Sequence, residues 1–373
     1  MSAIRVLVVD DSIVVRRILT TTLGEDPALQ VVGSAAHGRI GLNKIQQLQP
    51  DVVTLDMEMP EMDGLATLAE IRKLYPKLPV IMFSTLTERG AVATLDALAL
   101  GANDYVTKPA NVGSVTESLD RLRKELIPKI KAFGPRPTKP VFTPAKAAAK
   151  SEPRRVVRPL RPPPSQPVEL VAVGSSTGGP NALAEFLSVF PADFPVPLVL
   201  VQHMPPVFTR FLAERLDGQC KIGVAEAKGG EALIPGQALI APGDHHMRLS
   251  ASPKVTVKLD QGAPVHFCRP AVDVLFESVA TLYGGRALGV ILTGMGQDGL
   301  LGCEKLRDRG ALIMAQDEAS SVVWGMPGHV VRAGLSSVTL PPKELGRELV
   351  RRVLASRSGR GALSVAARVA VQE

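Results

Sequence analysis

Short apolar runs rich in β-branched residues alternate with segments of helical period along most of this chain. In the first 125 residues, five such runs are each followed by a helix-like segment: IRVLVVD, QVVGSA, DVVTLD, PVIMFS and DYVTK. Strands that alternate with helices form parallel sheets with helices on both faces. The pattern therefore predicts an α/β domain with a five-stranded parallel sheet at residues 1–125.

The segment 126–168 interrupts this alternation, and we interpret it as a helix end followed by a linker. Ten prolines lie between residues 133 and 168, and proline favours extended chain that cannot build a core. Eight basic residues and one acidic residue in the same stretch account for the whole formal charge of +7. Because the excess charge belongs to the linker, neither a basic surface on a folded domain nor a nucleic-acid partner is predicted.

The alternation resumes at residue 169 and predicts a second doubly wound, mainly parallel α/β domain at residues 169–358. Its strand candidates are LVAVG, PLVLVQ, ALGVILTG and LIMAQ. Shorter polar segments between Lys221 and Val265 indicate a small antiparallel excursion. The last residues, 359–373, are predicted to form a loosely ordered tail.

The cysteines and the apolar runs indicate the cellular setting. Cys220, Cys268 and Cys303 are widely spaced, which favours free buried thiols over a disulfide framework or a zinc site. No apolar run is long enough for a signal peptide or a membrane span. The sequence therefore predicts a cytoplasmic protein without direct membrane insertion.

Polar side chains follow four strands of the first predicted sheet. Asp10 and Asp11 follow the first strand, Asp56 ends the third, and Ser84 and Lys108 lie at the ends of the fourth and fifth. Carboxyl ends of parallel strands meet at one edge, where three carboxylates would repel each other without a cation. All-oxygen ligands favour Mg²⁺, and the complete set could transfer a phosphoryl group to an aspartate.

A second candidate site begins with the stretch GSSTG, which places Ser176 at the centre of a Gly-x-Ser-x-Gly pattern. This pattern is typical of a sharp strand-to-helix turn that exposes a nucleophilic serine. Gly178, Gly179 and Pro180 suit the start of a helix, whose free N–H groups could stabilise an oxyanion. Glycine-rich turns at helix starts also bind phosphates, so this stretch alone leaves both interpretations open.

The next two strand candidates favour the interpretation of Ser176 as a nucleophile over that of a phosphate-binding turn. PLVLVQHM ends at His203, and ALGVILTGMGQDG ends in a loop that contains Asp298. If these strands are parallel, a serine, a histidine and an aspartate reach one edge of one sheet, and a base with an orienting acid is what a serine nucleophile needs. No lysine completes a phosphate-binding loop, which disfavours nucleotide binding. From spacing alone, three other acids compete with Asp298: Asp244, Asp260 and Asp273.

The first domain resembles the receiver domain of bacterial response regulators in the stretches VVDDS, LDMEMPEMDG and YVTKP. The resemblance implies a flavodoxin-like sheet of strand order 2-1-3-4-5, with Asp56 as the phospho-acceptor. It also implies specific roles for the surrounding residues. Mg²⁺ would be held by Asp10, Asp11, Asp56 and the backbone of Glu58, the phosphoryl group would contact Ser84 and Lys108, and Tyr105 would belong to the switch face.

The second domain resembles the catalytic domain of the chemotaxis protein-glutamate methylesterases, the CheB family. The matching stretches are GSSTGGP, VQHMPPVFTRFLAERL, IAPGDHHM, RPAVDVLFESVA and VILTGMGQDG. By that resemblance the nucleophile is Ser176, the base is His203, the orienting acid is Asp298, and active-site or oxyanion contacts come from Thr177 and the Met295 backbone. Ser175 stands where relatives often carry alanine, so two neighbouring hydroxyls are candidates.

The two resemblances together imply a phosphorylation-regulated hydrolase of a two-component chemotaxis pathway. It would demethylate glutamate methyl esters on the cytoplasmic helices of chemoreceptors, deamidate certain receptor glutamines, and be recruited to receptor clusters. A chemotaxis histidine kinase would supply the phosphoryl group, and the ester chemistry would need no cofactor. The rival interpretations are a non-enzymatic response regulator that binds DNA or a protein partner, and a nucleotide-binding output domain.

Overall fold

The computed structural model describes residues 3–108, 115–134, 166–251 and 253–369, with the backbone alone at 115–121 and 358–369. The described chain forms two compact units, one built on a five-stranded sheet and one on a seven-stranded sheet. Most of the predicted linker, residues 135–165, lies outside the described residues. Its extended form therefore stays a prediction.

Five parallel strands form the first sheet in the order β2-β1-β3-β4-β5, which confirms the predicted fold and strand order. The strands are β1 (Ile4–Val9), β2 (Leu29–Ala35), β3 (Val52–Asp56), β4 (Val80–Ser84) and β5 (Asp104–Thr107). The helices that alternate with them are α1 (Ile13–Gly24), α2 (Gly38–Leu48), α3 (Gly64–Leu74), α4 (Glu88–Ala99) and α5 (Val115–Phe133).

The inner strands of this sheet explain why the acidic residues meet. Strands β3 and β4 are buried at every position, as expected of parallel strands covered on both faces. The chain runs from β1 to β2 on one side and then crosses to β3 on the other side. A crevice opens at such a reversal of strand order, and its walls are the carboxyl ends of β1 and β3. Asp10 and Asp56 lie at those ends.

Seven strands form the second sheet in the order β14-β13-β12-β6-β7-β9-β8, and every neighbouring pair is parallel. The strands are β6 (Leu170–Ser175), β7 (Leu198–Gln202), β8 (Gly223–Glu226), β9 (Gln237–Ile240), β12 (Ala287–Ile291), β13 (Leu312–Gln316) and β14 (Val338–Leu340). The helices are α6 (Gly179–Leu187), α7 (Phe208–Gln219), α8 (Val272–Tyr283), α9 (Leu300–Asp308), α10 (Met326–Arg332) and α11 (Pro342–Val369), with a short 3₁₀ turn at Gly284–Arg286.

The predicted small antiparallel excursion between Lys221 and Val265 is present, and it occupies part of that stretch. Among the strands that the structure describes, the antiparallel pair is β10 (His246–Ala251) with β11 (Val255–Asp260), and they make a separate two-stranded sheet. Strands β8 and β9, which lie in the same stretch, join the main sheet as parallel strands. The reason is burial: β9 hydrogen-bonds directly to the central strand β7, and three of its four residues are buried.

The predicted loosely ordered tail is helical over most of its length. Helix α11 extends to Val369, whereas the tail was expected to begin at residue 359. The segment GALSVAARV contains three alanines, a leucine and an arginine, which are strong helix formers. Gly359 and Gly361 lower helix propensity, but they do not end this helix. Residues 370–373 lie outside the described residues.

Among the described helices, none combines the length and the apolar character needed to cross a bilayer.

Candidate active site

Ser176 stands at the reversal of strand order in the second sheet. It directly follows β6, whose neighbours are β7 on one side and β12 on the other. Its N–H donates to Thr293 O at 3.0 Å, which ties it to the loop after β12. Gly178 then begins α6 with a φ of 75°, a left-handed conformation that glycine adopts without strain. The predicted sharp turn from strand to helix is therefore present.

The two neighbouring serines have different environments. Ser175 is fully buried, and its hydroxyl donates to Gln202 Oε1 at 2.7 Å. Gln202 Nε2 in turn donates to the carbonyl oxygen of Ser176 at 2.9 Å. Ser176 itself is only partly buried, beyond the last residue of the strand. Ser175 is therefore occupied in holding the turn, and Ser176 is the hydroxyl that a substrate could reach.

His203 and Asp298 lie at the same edge of the sheet as Ser176. Ser175 pairs in register with Gln202, so Ser176 and His203 leave adjacent strands at matching positions. Strands in a sheet lie about 4.8 Å apart, which keeps the two residues close. His203 Nε2 lies 2.8 Å from Asp298 Oδ2. The structure thus brings all three predicted residues to one edge.

Asp298 is held rigidly as a carboxylate. It is buried, and its oxygens accept hydrogen bonds from the N–H groups of Val272 at 2.7 Å and of Asp273 and Gly299 at 2.9 Å. Burial would raise its pKa, but the hydrogen bonds from His203 and the backbone hold the pKa below its ordinary value. The ionised Asp298 carboxylate can accept a hydrogen bond from the Nε2–H group of His203, and this bond fixes the orientation of the ring.

The bond to Asp298 leaves Nδ1 as the basic nitrogen of His203. A carboxylate can only accept, so Nε2 carries the proton, and Nδ1 is the acceptor. Cys268 Sγ lies 3.6 Å from this nitrogen. Within the described part of the chain, the Ser176 hydroxyl makes no hydrogen bond to His203. Catalytic hydrogen bonds are often absent until substrate binds, so this geometry is compatible with a resting enzyme.

Two neighbours outweigh the effect of burial on His203. Burial lowers the pKa of the imidazolium, but the Cys268 sulfur and the Asp298 carboxylate favour the charged ring and raise the pKa to about 10. A raised pKa makes His203 a stronger base, because the ring holds more firmly the proton that it takes from a hydroxyl.

The three other acids that competed with Asp298 are each paired elsewhere. They form ion pairs or hydrogen bonds with basic side chains: Asp244 with Arg269, Asp260 with Arg248, and Asp273 with His266. Only Asp298 contacts His203 among these four acids. The side-chain contacts therefore favour Asp298 over the three other acids that the spacing allowed.

The two predicted supporting residues lie beside Ser176. Thr177 is buried, and its carbonyl oxygen accepts the Thr293 hydroxyl at 3.0 Å. Met295 lies in the loop after β12, and among the described residues none accepts a hydrogen bond from its N–H. Next to it, a Cβ atom at Gly294 would lie 2.9 Å from Ser176 Cβ, so only glycine allows this loop to approach. The contact of the Met295 N–H with an oxyanion stays a prediction.

Two contacts in the site were not predicted. Gln202, which precedes His203, joins both serines, and Cys268 faces the basic nitrogen of His203. Cys268 was expected to be a buried thiol, but it is partly exposed, as is Cys220; Cys303 alone is buried. The loop that carries Cys268 lies 65 residues after His203, and no spacing rule connects them.

The acidic residues predicted at the edge of the first sheet also lie close together, beside Lys108. Lys108 Nζ lies 2.7 Å from Asp56 Oδ2 and 3.4 Å from Asp10 Oδ2. One carboxylate oxygen from each of Asp10, Asp11 and Asp56 lies within 4.8 Å of the others. Burial and the charge of Asp10 raise the pKa of Asp56 to about 6, although Lys108 opposes the shift. Carboxylates crowded in this way fit a small divalent cation with oxygen ligands.

Three other residues were predicted to belong to this acidic site or to respond to it: Ser84, Glu58 and Tyr105. Ser84 is buried at the end of β4, and its hydroxyl donates to Thr85 O at 3.4 Å. Glu58 N–H donates to Asp56 Oδ1 at 3.3 Å, so residue 58 lies beside the acceptor, while ligation by its carbonyl stays a prediction. Tyr105 is buried on β5, and burial raises the pKa of its hydroxyl. Its switch role also stays a prediction.

Comparison with known proteins assigns a family to each of the two units. Residues 6–120 match the response regulator receiver domain family, and residues 171–349 match the CheB methylesterase family. A crystal structure of the Thermotoga maritima CheB methylesterase catalytic domain is similar at 40% identity and a TM-score of 0.49, over 49% of this chain and 98% of that chain.

Two curated relatives match nearly the whole chain. Both are named protein-glutamate methylesterase/protein-glutamine glutaminase. The protein from Trichodesmium erythraeum is 52% identical over 95% of this chain and 100% of its own length, and the protein from Nocardioides sp. is 50% identical over 96% and 97%. The chain therefore belongs to the CheB methylesterase family with an N-terminal response regulator receiver domain.

Proposed function

We propose that this protein hydrolyses methyl esters of glutamate side chains on other proteins and deamidates certain glutamines by a Ser-His-Asp mechanism. The observation that carries the proposal is the 2.8 Å contact between His203 Nε2 and Asp298 Oδ2 at the sheet edge where Ser176 leaves β6. A hydroxyl needs a base, and the base needs an orienting acid. The activity in the names of the curated relatives supports the same reaction.

The proposed ester reaction has two stages. Ser176 Oγ attacks the ester carbonyl while His203 Nδ1 takes its proton, and the Met295 N–H stabilises the oxyanion. His203 then gives the proton to the leaving oxygen, so that methanol departs and an acyl-serine remains. Water attacks this ester with His203 again as the base, which frees the glutamate carboxylate and restores the serine hydroxyl.

The proposed deamidation depends more strongly on the acidity of His203. An amide nitrogen leaves poorly unless it is protonated, so ammonia departs only with a proton from His203. This proton is the one that His203 has taken from Ser176, and it passes to the amide nitrogen as the C–N bond breaks. The same ring can therefore act on both a methyl ester and an amide.

The substrates that we propose are the cytoplasmic helices of methyl-accepting chemoreceptors, and the setting is the cytoplasm at receptor clusters. We also retain the predicted division of the chain: a receiver at 1–125, a linker region at 126–168 and a catalytic domain at 169–358. The family assignment supports the first and last of these. The test is methanol release from methylated receptor membranes, which a DNA-binding or nucleotide-binding protein would not produce.

We further propose that phosphorylation of Asp56 by a chemotaxis histidine kinase raises the esterase rate. Asp10, Asp11, Asp56 and the Glu58 carbonyl would hold Mg²⁺, which would neutralise charge as the phosphoryl group arrives. Lys108 already lies against Asp56, and Ser84 and Tyr105 would respond to the new charge. Shifting a mostly inactive population to a mostly active one takes a few kcal/mol, about what a phosphoryl group can supply.

Replacing Asp56 with asparagine is expected to remove activation by a small-molecule phosphoryl donor. Asparagine has the same shape but cannot form the acyl phosphate, so the esterase rate should be the same with and without the donor. The measurement is methanol release with Mg²⁺ present, in parallel with wild type. Equal stimulation of both proteins would contradict the proposed role of Asp56.

Replacing Cys268 with alanine is expected to move the acid limb of the pH–rate profile to lower pH. Cys268 raises the pKa of His203, so its removal leaves a ring that becomes neutral, and able to act as a base, at lower pH. Losing one such neighbour shifts a pKa by about one unit. The measurement is kcat/KM for ester hydrolysis between pH 5 and 10, and an unmoved limb would contradict the assignment.

A further inference from the structure

Phe267 is the most exposed large apolar side chain among the described residues, with 96% of its surface accessible. It occupies a turn closed by two hydrogen bonds, from Val265 N–H to Cys268 O at 3.0 Å and from Cys268 N–H to Val265 O at 2.9 Å. An apolar side chain held in water at the tip of a tight turn gains nothing from the fold itself. Its placement needs another reason.

The backbone of this turn is unfavourable for the residues it contains. His266 and Phe267 have φ values of 51° and 62°, both in the left-handed region. Two successive residues with positive φ are typical of a turn that prefers Asn-Gly, and an aromatic residue is strained there. His266 is anchored by its contact with Asp273 at 2.9 Å, which helps to hold the turn. Strained, well-anchored turns of this kind concentrate at functional sites.

The turn lies against the catalytic histidine. Cys268, the residue after Phe267, places its sulfur 3.6 Å from His203 Nδ1. Two further exposed apolar residues lie close to catalytic residues in the sequence or by contact: Leu301, 52% exposed, is three positions after Asp298, and Val322 lies against Gly178, two positions after Ser176. Each of the three catalytic residues thus has an exposed apolar side chain a few positions away or in a neighbouring segment: Phe267 and Val322 lie on loops, and Leu301 lies in the first turn of α9.

We propose that Phe267 contacts the protein substrate and determines its specificity, by packing against apolar side chains one helical turn from the target glutamate. This inference rests on the proposed function. A glutamate on a helix has its neighbours three and four positions away on the same face, within reach of residues around the site. The partner that fits is an amphipathic helix whose apolar stripe borders the modified glutamate. Contact with Phe267 would also exclude water from the ester during attack.

The test compares two substrates. One is a helical peptide with a single glutamate methyl ester and leucines three and four positions away; the other is the γ-methyl ester of N-acetylglutamate. Phe267→Asn removes the aromatic ring and suits positive φ, so the turn keeps its shape. The ratio of kcat/KM for the peptide to kcat/KM for the small ester should fall about tenfold, mainly through KM.

Three controls make the result specific. Phe267→Leu should keep most of the ratio. Ile234→Ala changes an exposed apolar residue three positions before β9, on the side where that strand begins, and should leave the ratio at the wild-type value. A peptide with alanines in place of the leucines should show no further loss with Phe267→Asn. An unchanged ratio, or equal loss on both substrates, would overturn the inference. Wild type that hydrolyses neither substrate would overturn the proposed function as well, and that outcome is recognisable without any variant.

Discussion

Replacing Ser176 with alanine is expected to lower the rate of ester hydrolysis at least about a thousandfold. The substitution removes the only oxygen of the catalytic set that can bond to the ester carbon, because His203 and Asp298 act on protons. Met295 N–H and the rest of the site stay in place, so substrate binding should change little. The measurement is methanol release from a methyl-ester peptide, with kcat and KM determined separately.

Ser175 and Cys268 supply the matched controls for that experiment. Ser175→Ala removes a neighbouring hydroxyl that is buried against Gln202, so it should cost stability and leave most of the rate. Cys268 is the alternative nucleophile, because its sulfur lies closest to the basic nitrogen of His203. Cys268→Ala should keep the rate at its optimal pH within about tenfold of wild type. A severe loss with Cys268→Ala, beside a mild loss with Ser176→Ala, would show that the thiol attacks.

Replacing Asp298 with asparagine is expected to lower kcat by a factor on the order of 10³ to 10⁴. Asparagine offers one acceptor oxygen where the carboxylate has two, and the backbone N–H groups of Val272, Asp273 and Gly299 already compete for it. Its NH₂ group would turn toward His203 and favour the tautomer with the proton on Nδ1. That tautomer cannot accept a proton from Ser176. The loss should therefore appear in kcat.

Asp273 provides the comparison for Asp298. It is a second buried aspartate close by, but its partner is His266. Asp273→Asn should therefore lower the rate by no more than about tenfold, and the thermal unfolding of both variants should be compared with that of wild type. If Asp298→Asn keeps more than a tenth of the wild-type kcat, the orienting role of this carboxylate is wrong.

Most of the fold follows from patterns that are visible in the chain. Runs such as LVLVQ and PVIMFS are apolar at nearly every position, as expected of strands buried on both faces. The elements that the patterns misjudge are short or mixed. Four-residue strands such as β8 and β9 are too short to show a period, and the parallel pairing of β9 is decided by its contact with β7. The helical end of α11 depends on alanine content that the glycines at 359 and 361 obscured.

The active-site residues that follow strand ends could be predicted from the sequence. The contacts that come from loops packed against the site could not. Ser176, His203 and Asp298 follow β6, β7 and β12, and parallel strands bring their carboxyl ends together whatever the intervening sequence. The choice of Asp298 over Asp273 depends on side-chain contacts that spacing does not encode. The same holds for Cys268, whose loop belongs to no neighbouring strand, and for the burial of Ser175 against Gln202.

Trapping the covalent intermediate tests the central claim most directly. The enzyme would be mixed with a methyl-ester peptide, quenched in acid within a single turnover, and digested for mass spectrometry. The mechanism predicts that the peptide's glutamyl group is attached to Ser176, and that the Ser176→Ala protein carries no adduct. An adduct on Cys268, or methanol release at the wild-type rate with Ser176 never modified, would contradict it.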